Sequence, residues 1–229
     1  MIGLLGTFVN MAAVVAGGSL GLILNSRFPK HLSDSLMKAL GLCTLLIGIT
    51  GILKGENQLI TIISMAVGTV IGELLDLDGK LNTLGLFLQN KFKKDGSRVS
   101  VAEGFINASL LFCVGAMSII GSLQSGLTGD NQMIYTKSLL DFTSSIIFAS
   151  TLGIGVLFAS APILVYQGSI VLLAHYLAPF LTDSVIAEMT CVGSLIIIGL
   201  GFNMLGLTKL KIMNYVPAIF LPVILCLFM

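Results

Sequence analysis

Residues 3–24 read GLLGTFVNMAAVVAGGSLGLIL and contain no charged side chain. A helix needs roughly 20 mostly apolar residues to cross the hydrocarbon of a bilayer, and this stretch has that length. In hydrocarbon only a helix satisfies all its backbone groups within one segment. Seven further stretches of similar kind follow at 36–53, 58–76, 104–124, 136–158, 161–180, 185–207 and 212–229. The expectation is an all-α fold: a polytopic transmembrane helix bundle of about eight spans, forming one membrane domain over 1–229.

Composition supports the same conclusion. The chain of 229 residues is 55% hydrophobic and 10% charged, against about 25% charged in soluble domains. Too few polar groups remain to cover a water-facing surface, so the apolar excess must meet lipid. A formal net charge of +1 gives no electrostatic reason to expect a nucleic-acid partner. Cys43, Cys113, Cys191 and Cys226 stand singly in apolar runs, so neither a metal site nor a disulfide framework is expected. No basic segment precedes the first apolar run, so no cleavable signal is read there.

Basic residues flanking spans should collect on the cytoplasmic side. Arg27, Lys30 and Lys38 surround the first loop, Lys80, Lys91, Lys93, Lys94 and Arg98 fall in the third, and Lys209 and Lys211 lie in the seventh. Lys54 and Lys137 remain for the opposite face. This asymmetry puts both termini outside and the segment 77–103 in the cytoplasm. Within that segment Leu81, Leu84, Leu88 and Phe92 recur at helical spacing, as in a helix lying on a membrane surface. The uncharged fifth loop turns at Ser160-Ala161-Pro162, with Pro162 in the first turn of the next helix.

Gly6-Thr7-Phe8-Val9-Asn10 is echoed by Glu103-Gly104-Phe105-Ile106-Asn107. Lys38-Ala39-Leu40 with Thr44 resembles Lys137-Ser138-Leu139 with Thr143, and Gly68-Thr69-Val70-Ile71 resembles Gly168-Ser169-Ile170-Val171. The echoes keep their order, so 1–76 and 104–180 are expected to be two repeats joined by 77–103, with 181–229 a C-terminal helical pair. Three spans per repeat is odd, and the second copy therefore enters from the opposite side. Inverted repeats of this kind build midplane sites in secondary transporters.

Ionisable and amide groups inside apolar spans are functional hypotheses by default. Asn10, Glu73, Asn107, Asp141 and Gln167 are the expected ligand-binding residues. Lys137 supports them four residues before Asp141, on the same helix face, and Thr143, Asn203 and Asn214 are the other supporting residues. The structural alternatives are an ion pair for Asp141, a solvated helix end for Glu73, interhelical hydrogen bonds for the amides, and capping for Asn203 and Asn214. Small glycines along the spans read first as close helix packing. His175 and Glu188 are expected at the interface. No Walker loop, HExxH or GxSxG is present, so no cofactor and no catalytic residue is nominated.

Gly6 to Asn10 leading to Gly17-Gly18-Ser19-Leu20-Gly21 resembles the opening of a bacterial membrane family catalogued as domain of unknown function 554. Gly72-Glu73, Phe112-Cys113-Val114-Gly115-Ala116-Met117, Lys137 with Asp141, Tyr166-Gln167-Gly168 and Asn214-Tyr215-Val216-Pro217-Ala218 extend the resemblance over the whole chain. It implies a multi-pass protein of the bacterial cytoplasmic membrane, described as a candidate transporter with no assigned substrate. The leading expectation is a small-molecule or ion transporter or channel, in the lipid bilayer, homo-oligomeric, with a small-molecule or cation ligand. Its rivals are a structural or regulatory membrane protein acting through 77–103, and a membrane-embedded enzyme for a lipid or isoprenoid.

Overall fold

The computed structural model of the chain describes residues 2–25, 30–80, 83, 101–113 and 116–228. Every regular element among them is helical. A 3-10 turn at Ile2–Leu4 leads into α1 (Leu5–Asn25), α2 (Lys30–Ile52) and α3 (Gln58–Leu75). After the segment 84–100 come α4 (Val101–Cys113), α5 (Ala116–Thr128) and α6 (Gln132–Leu152). The short α7 (Gly155–Phe158), α8 (Ser160–Leu172) and the short α9 (Ala174–Leu177) precede α10 (Asp183–Met204). A 3-10 helix at Ile212–Phe220 and α11 (Leu221–Leu225) end the described chain.

Five helical stretches are long and apolar enough to cross a membrane: Leu5–Leu24, Asp34–Ile52, Gln58–Leu75, Gly155–Leu172 and Asp183–Met204. Val101–Cys113 and Met117–Thr128 qualify together as a sixth, bent by 59°. On length and composition this is five or six spans, against the eight expected: α6 has the length but is too polar to qualify, and the last apolar helix, Ile212–Leu225, is too short. The expected span 104–124 is described as two helices, Val101–Cys113 and Met117–Thr128, at an angle to each other. The expected span 136–158 ends at Leu152, because Gly153 takes a left-handed φ of 75°, a conformation that suits glycine and stops a helix. The turn therefore falls at Gly153, and Pro162 is the third residue of α8, where a missing N–H costs little. The expected last span is short: Pro217 lies inside the 3-10 helix, where proline cannot donate to a helical ladder. The expected surface helix at 77–103 lies mostly outside the described residues.

Outward-facing side chains fit a lipid solvent. Leu42, Leu46, Ile49 and Leu53 on and just after α2, and Leu59, Ile62, Val70 and Leu74 on α3, are all exposed. Water would penalise such stripes, whereas hydrocarbon does not.

The chain divides into two compact units: 1–37, 83–113 and 117–177 form one, and 38–82, 114–116 and 178–229 the other. Residues 1–76 contribute to both.

In the first unit α1 and α6 run parallel. A Cβ on Gly6 would meet Ile134, one on Gly17 would collide with the Phe142 carbonyl, and one on Gly21 with the Ile146 carbonyl. Backbones this close need residues without side chains. Asn131, at the N-cap position of α6, gives no cap bond to its own helix. Its Oδ1 instead accepts from the Gly6 N–H of α1 at 3.1 Å, one of the donors a helix start leaves unpaired. The α8 helix runs the other way: Gly3 approaches Val171, and Gly18 approaches Leu157 ahead of it. The bent pair α4–α5 is also antiparallel to α6, with Gly104 against Leu152 and Gly121 against Ile134. Phe112 packs on Phe148, with ring centroids 6.0 Å apart.

In the second unit α2 and α10 are antiparallel, with Gly41 against Leu205, Gly48 against Ile198 and Gly55 against Cys191. The α3 helix meets the 3-10 helix, where Gly68 would touch the Ala218 backbone and Gly72 the Asn214 carbonyl.

Candidate functional site

The tight pairing of α1 with α6 sets Asn10 level with Lys137 and Asp141, and the antiparallel α8 brings Gln167 to the same place. Asp141 stands nine residues after Gln132, about 14 Å along the helix axis, so the group is well inside the unit. Asn10 and Gln167 are 0% exposed, Asp141 5% and Lys137 7%.

Lys137 Nζ donates to Asp141 Oδ2 at 2.6 Å. Asn10 Nδ2 donates to the same oxygen at 3.1 Å and to Gln167 Oε1 at 3.3 Å. Both hydrogens of the Asn10 amide are thereby used. This pattern also fixes the amide orientations. A reversed Asn10 would turn its oxygen on the carboxylate, and a reversed Gln167 would oppose two NH₂ groups. Among the described residues, two atoms of the cluster then remain buried without a partner, Asn10 Oδ1 and Gln167 Nε2. Leaving such groups unpaired costs about 1–3 kcal/mol each.

Three further buried hydroxyls of this unit, Thr7 Oγ1, Ser109 Oγ and Ser122 Oγ, also lack partners. Thr7 precedes Asn10 by three residues and shares its face of α1. Ser118 Oγ, early in α5, donates to the Phe112 carbonyl near the end of α4 at 3.0 Å.

Four residues nominated from the sequence, Asn10, Lys137, Asp141 and Gln167, form this group. Asn107 is buried on α4, but among the described residues no hydrogen bond joins it to the four. Thr143 is exposed, and its hydroxyl donates to the Leu139 and Leu140 carbonyls of its own helix. Glu73 belongs to the second unit, where its half-exposed carboxylate pairs with Lys211 at 3.6 Å. Asn203 folds the loop after α10: its Oδ1 accepts from Leu210 N and Thr208 Oγ1, and its Nδ2 donates to Leu210 O. Asn214 Oδ1 accepts from Asp78 N at 2.8 Å.

Glu188 corrects the interfacial expectation. It is 1% exposed, and its Oε1 accepts from Glu56 N at 2.6 Å and Asn57 N at 2.7 Å. A buried carboxylate thus ties down the turn before α3, assisted by the favourable dipole of a helix start. Its backbone partners are more than 130 residues away in sequence, the Thr61 hydroxyl adds a third donor at 3.4 Å, and only its place a turn inside an apolar run could have hinted at burial.

The family model described as protein of unknown function (DUF554) matches residues 5–227. The chain belongs to that family. It is similar to the "Uncharacterized membrane protein YdfK" of Bacillus subtilis (strain 168), with 33% identity over 221 residues, covering 95% of this chain and 93% of the relative. It is equally similar to the "Uncharacterized protein YqgA" of Escherichia coli (strain K12), with 33% identity over 220 residues and coverage of 95% and 94%. No solved structure matches. All four cluster residues fall within the stretch that this DUF554 family model spans. The name of the Bacillus subtilis relative and the chain's own long apolar helices agree on a membrane protein.

Proposed function

We propose that the chain is a small-molecule or ion transporter or channel of the bacterial cytoplasmic membrane, with its ligand site at Asn10, Lys137, Asp141 and Gln167. The observation that carries this reading is the pair of unpartnered amide atoms buried beside a charged pair. A merely structural cluster would be selected to satisfy its own groups. The site is built without Glu73 and without Asn107.

The helix directions support the proposed eight spans. The α6 helix lies parallel to α1 over the same height, so a membrane crossed by α1 is crossed by α6 as well, its seven Ser and Thr residues sheltered in part by neighbours. The antiparallel α4–α5 and α8 then alternate with it, as successive spans must. The same alternation is what an inverted three-span repeat requires. Both termini outside, and a homo-oligomer, complete the proposal.

The test is thermal-shift screening of purified protein against ions and small metabolites. A ligand that raises the melting temperature of the wild type and fails to do so with Asp141→Asn supports the site. A response unchanged by Asp141→Asn removes Asp141 from it. Orientation is tested by single cysteines at 97 and 229 in a cysteine-free background. Labelling of position 97 by an impermeant reagent in intact cells contradicts the topology.

A further inference from the structure

We infer that the ligand of this site is a small uncharged solute bearing a carboxamide or hydroxyl group, an inference that rests on the proposed transport reading and narrows it. The two charges of the cluster, Lys137 and Asp141, stand 2.6 Å apart and cancel. A bare ion arriving here must shed much of its water and finds no excess counter-charge in return. An uncharged solute sheds far less.

What the cluster leaves open is complementary in kind. Asn10 Oδ1 is an acceptor without a donor, and Gln167 Nε2 is a donor without an acceptor. Both belong to fully buried residues, and the hydrogen bond between their amides holds them as neighbours. A carboxamide presents one N–H and one C=O from a single planar group, so it can donate to Asn10 and accept from Gln167 at once. A hydroxyl can do the same with its one proton and its lone pairs. A hydrocarbon could satisfy neither, and an ammonium or carboxylate ion could satisfy only one. The unpartnered hydroxyls of Thr7, Ser109 and Ser122 offer further contacts of the same sign-free kind within the unit. The ion pair acts here as a positioning element: Asp141 orients the Asn10 amide so that its oxygen, not its nitrogen, is offered.

The experiment uses the full chain reconstituted in phospholipid vesicles. Acetamide, urea and glycerol entry is followed by stopped-flow light scattering after an osmotic step, and K⁺, Na⁺ and H⁺ movement by potential- and pH-sensitive dyes in the same vesicles. The expected result is accelerated entry of at least one uncharged solute and no ion movement. Gln167→Met, which removes the free donor, should slow that entry about tenfold, the loss expected for one recognition hydrogen bond. Gln167→Leu also lacks the donor at similar side-chain size, and it should slow entry as well. Melting curves of both variants report folding separately. Ion movement without solute entry overturns the ligand class and leaves transport standing. A thermal shift with acetamide or glycerol but no flux keeps the ligand class and overturns transport. Neither flux nor shift overturns both.

Discussion

Among the described residues, the unit containing α1, α4–α6 and α8 buries unpartnered polar atoms at Thr7, Asn10, Ser109, Ser122 and Gln167, whereas the unit containing α3 and α10 buries them at Ser64 and Asn214. The second unit uses its polar side chains to finish its backbone. Glu188 ties the turn before α3, Asn203 closes the loop after α10, and Thr44 reaches the Met204 sulfur at 3.6 Å. Both units fold by the same device, glycines against carbonyls, so packing does not separate them. What separates them is whether the interior polar groups are consumed by the protein or left for something else. On the proposed reading, that difference gives the ligand role to the first unit and the scaffold role to the second.

The largest effect that could break this comparison lies at the ion pair. Lys137→Gln or Asp141→Asn alone strands a buried charge and should cost about 3–5 kcal/mol, read as a large drop in melting temperature in detergent. The double variant should regain most of that stability and yet lose any ligand response. Recovery of both in the double variant would make the pair structural and dissolve the contrast.

Next comes Glu188. Replacing it with alanine leaves the Glu56 and Asn57 N–H groups without their acceptor and should cost about 2–4 kcal/mol. Glu188→Gln retains one oxygen and should cost less. Unchanged melting of Glu188→Ala would show that the second unit does not depend on its internal polar bonds.

A packing test should treat the units alike. Gly21→Val puts a branched side chain against the Ile146 carbonyl, and Gly48→Val does the same against Ser194 and Ile198. Each should cost about 1–3 kcal/mol from overpacking. Gly168→Ala meets nothing nearer than Leu4 at 3.9 Å and should melt like the wild type. Tolerance of Gly21→Val would contradict the parallel α1–α6 contact on which the site depends.

Much of this was legible in the sequence, unevenly. Spans at 3–24, 36–53, 58–76 and 185–207 end within a few residues of helices in the structure, because uncharged length is a strong signal. Asn10, Lys137, Asp141 and Gln167 were visible because each is a polar residue in an apolar run. Their convergence was not visible, since it depends on α1 lying beside α6 through Gly17 and Gly21, two of 26 glycines. Hydropathy is likewise blind to backbone geometry: the angle between α4 and α5 and the left-handed Gly153 leave the apolar average almost untouched. Glu188 shows the converse, since its depth was misread because backbone N–H groups leave no mark in a side-chain pattern.

The smallest expected effect is the sharpest test of the comparison, because it asks what surrounds an orphaned hydroxyl. Ser122 in the first unit and Ser64 in the second are both 0% exposed, both helical, and both without a hydrogen-bond partner. Substituting alanine at either site changes helix propensity by the same few tenths of a kcal/mol, so that contribution cancels between them. In a dry interior an unpaired hydroxyl is a penalty, and removing it should stabilise by about 1 kcal/mol. In an interior that admits water or a solute the hydroxyl is already satisfied there, and removing it gains nothing. Ser64→Ala should therefore raise the melting temperature, while Ser122→Ala should leave it unchanged or lower it slightly. The measurement is the difference between the two variants in one detergent. Equal stabilisation at both positions would mean that the first unit is as dry as the second, and its unpartnered amides would then be unsatisfied packing and not a site.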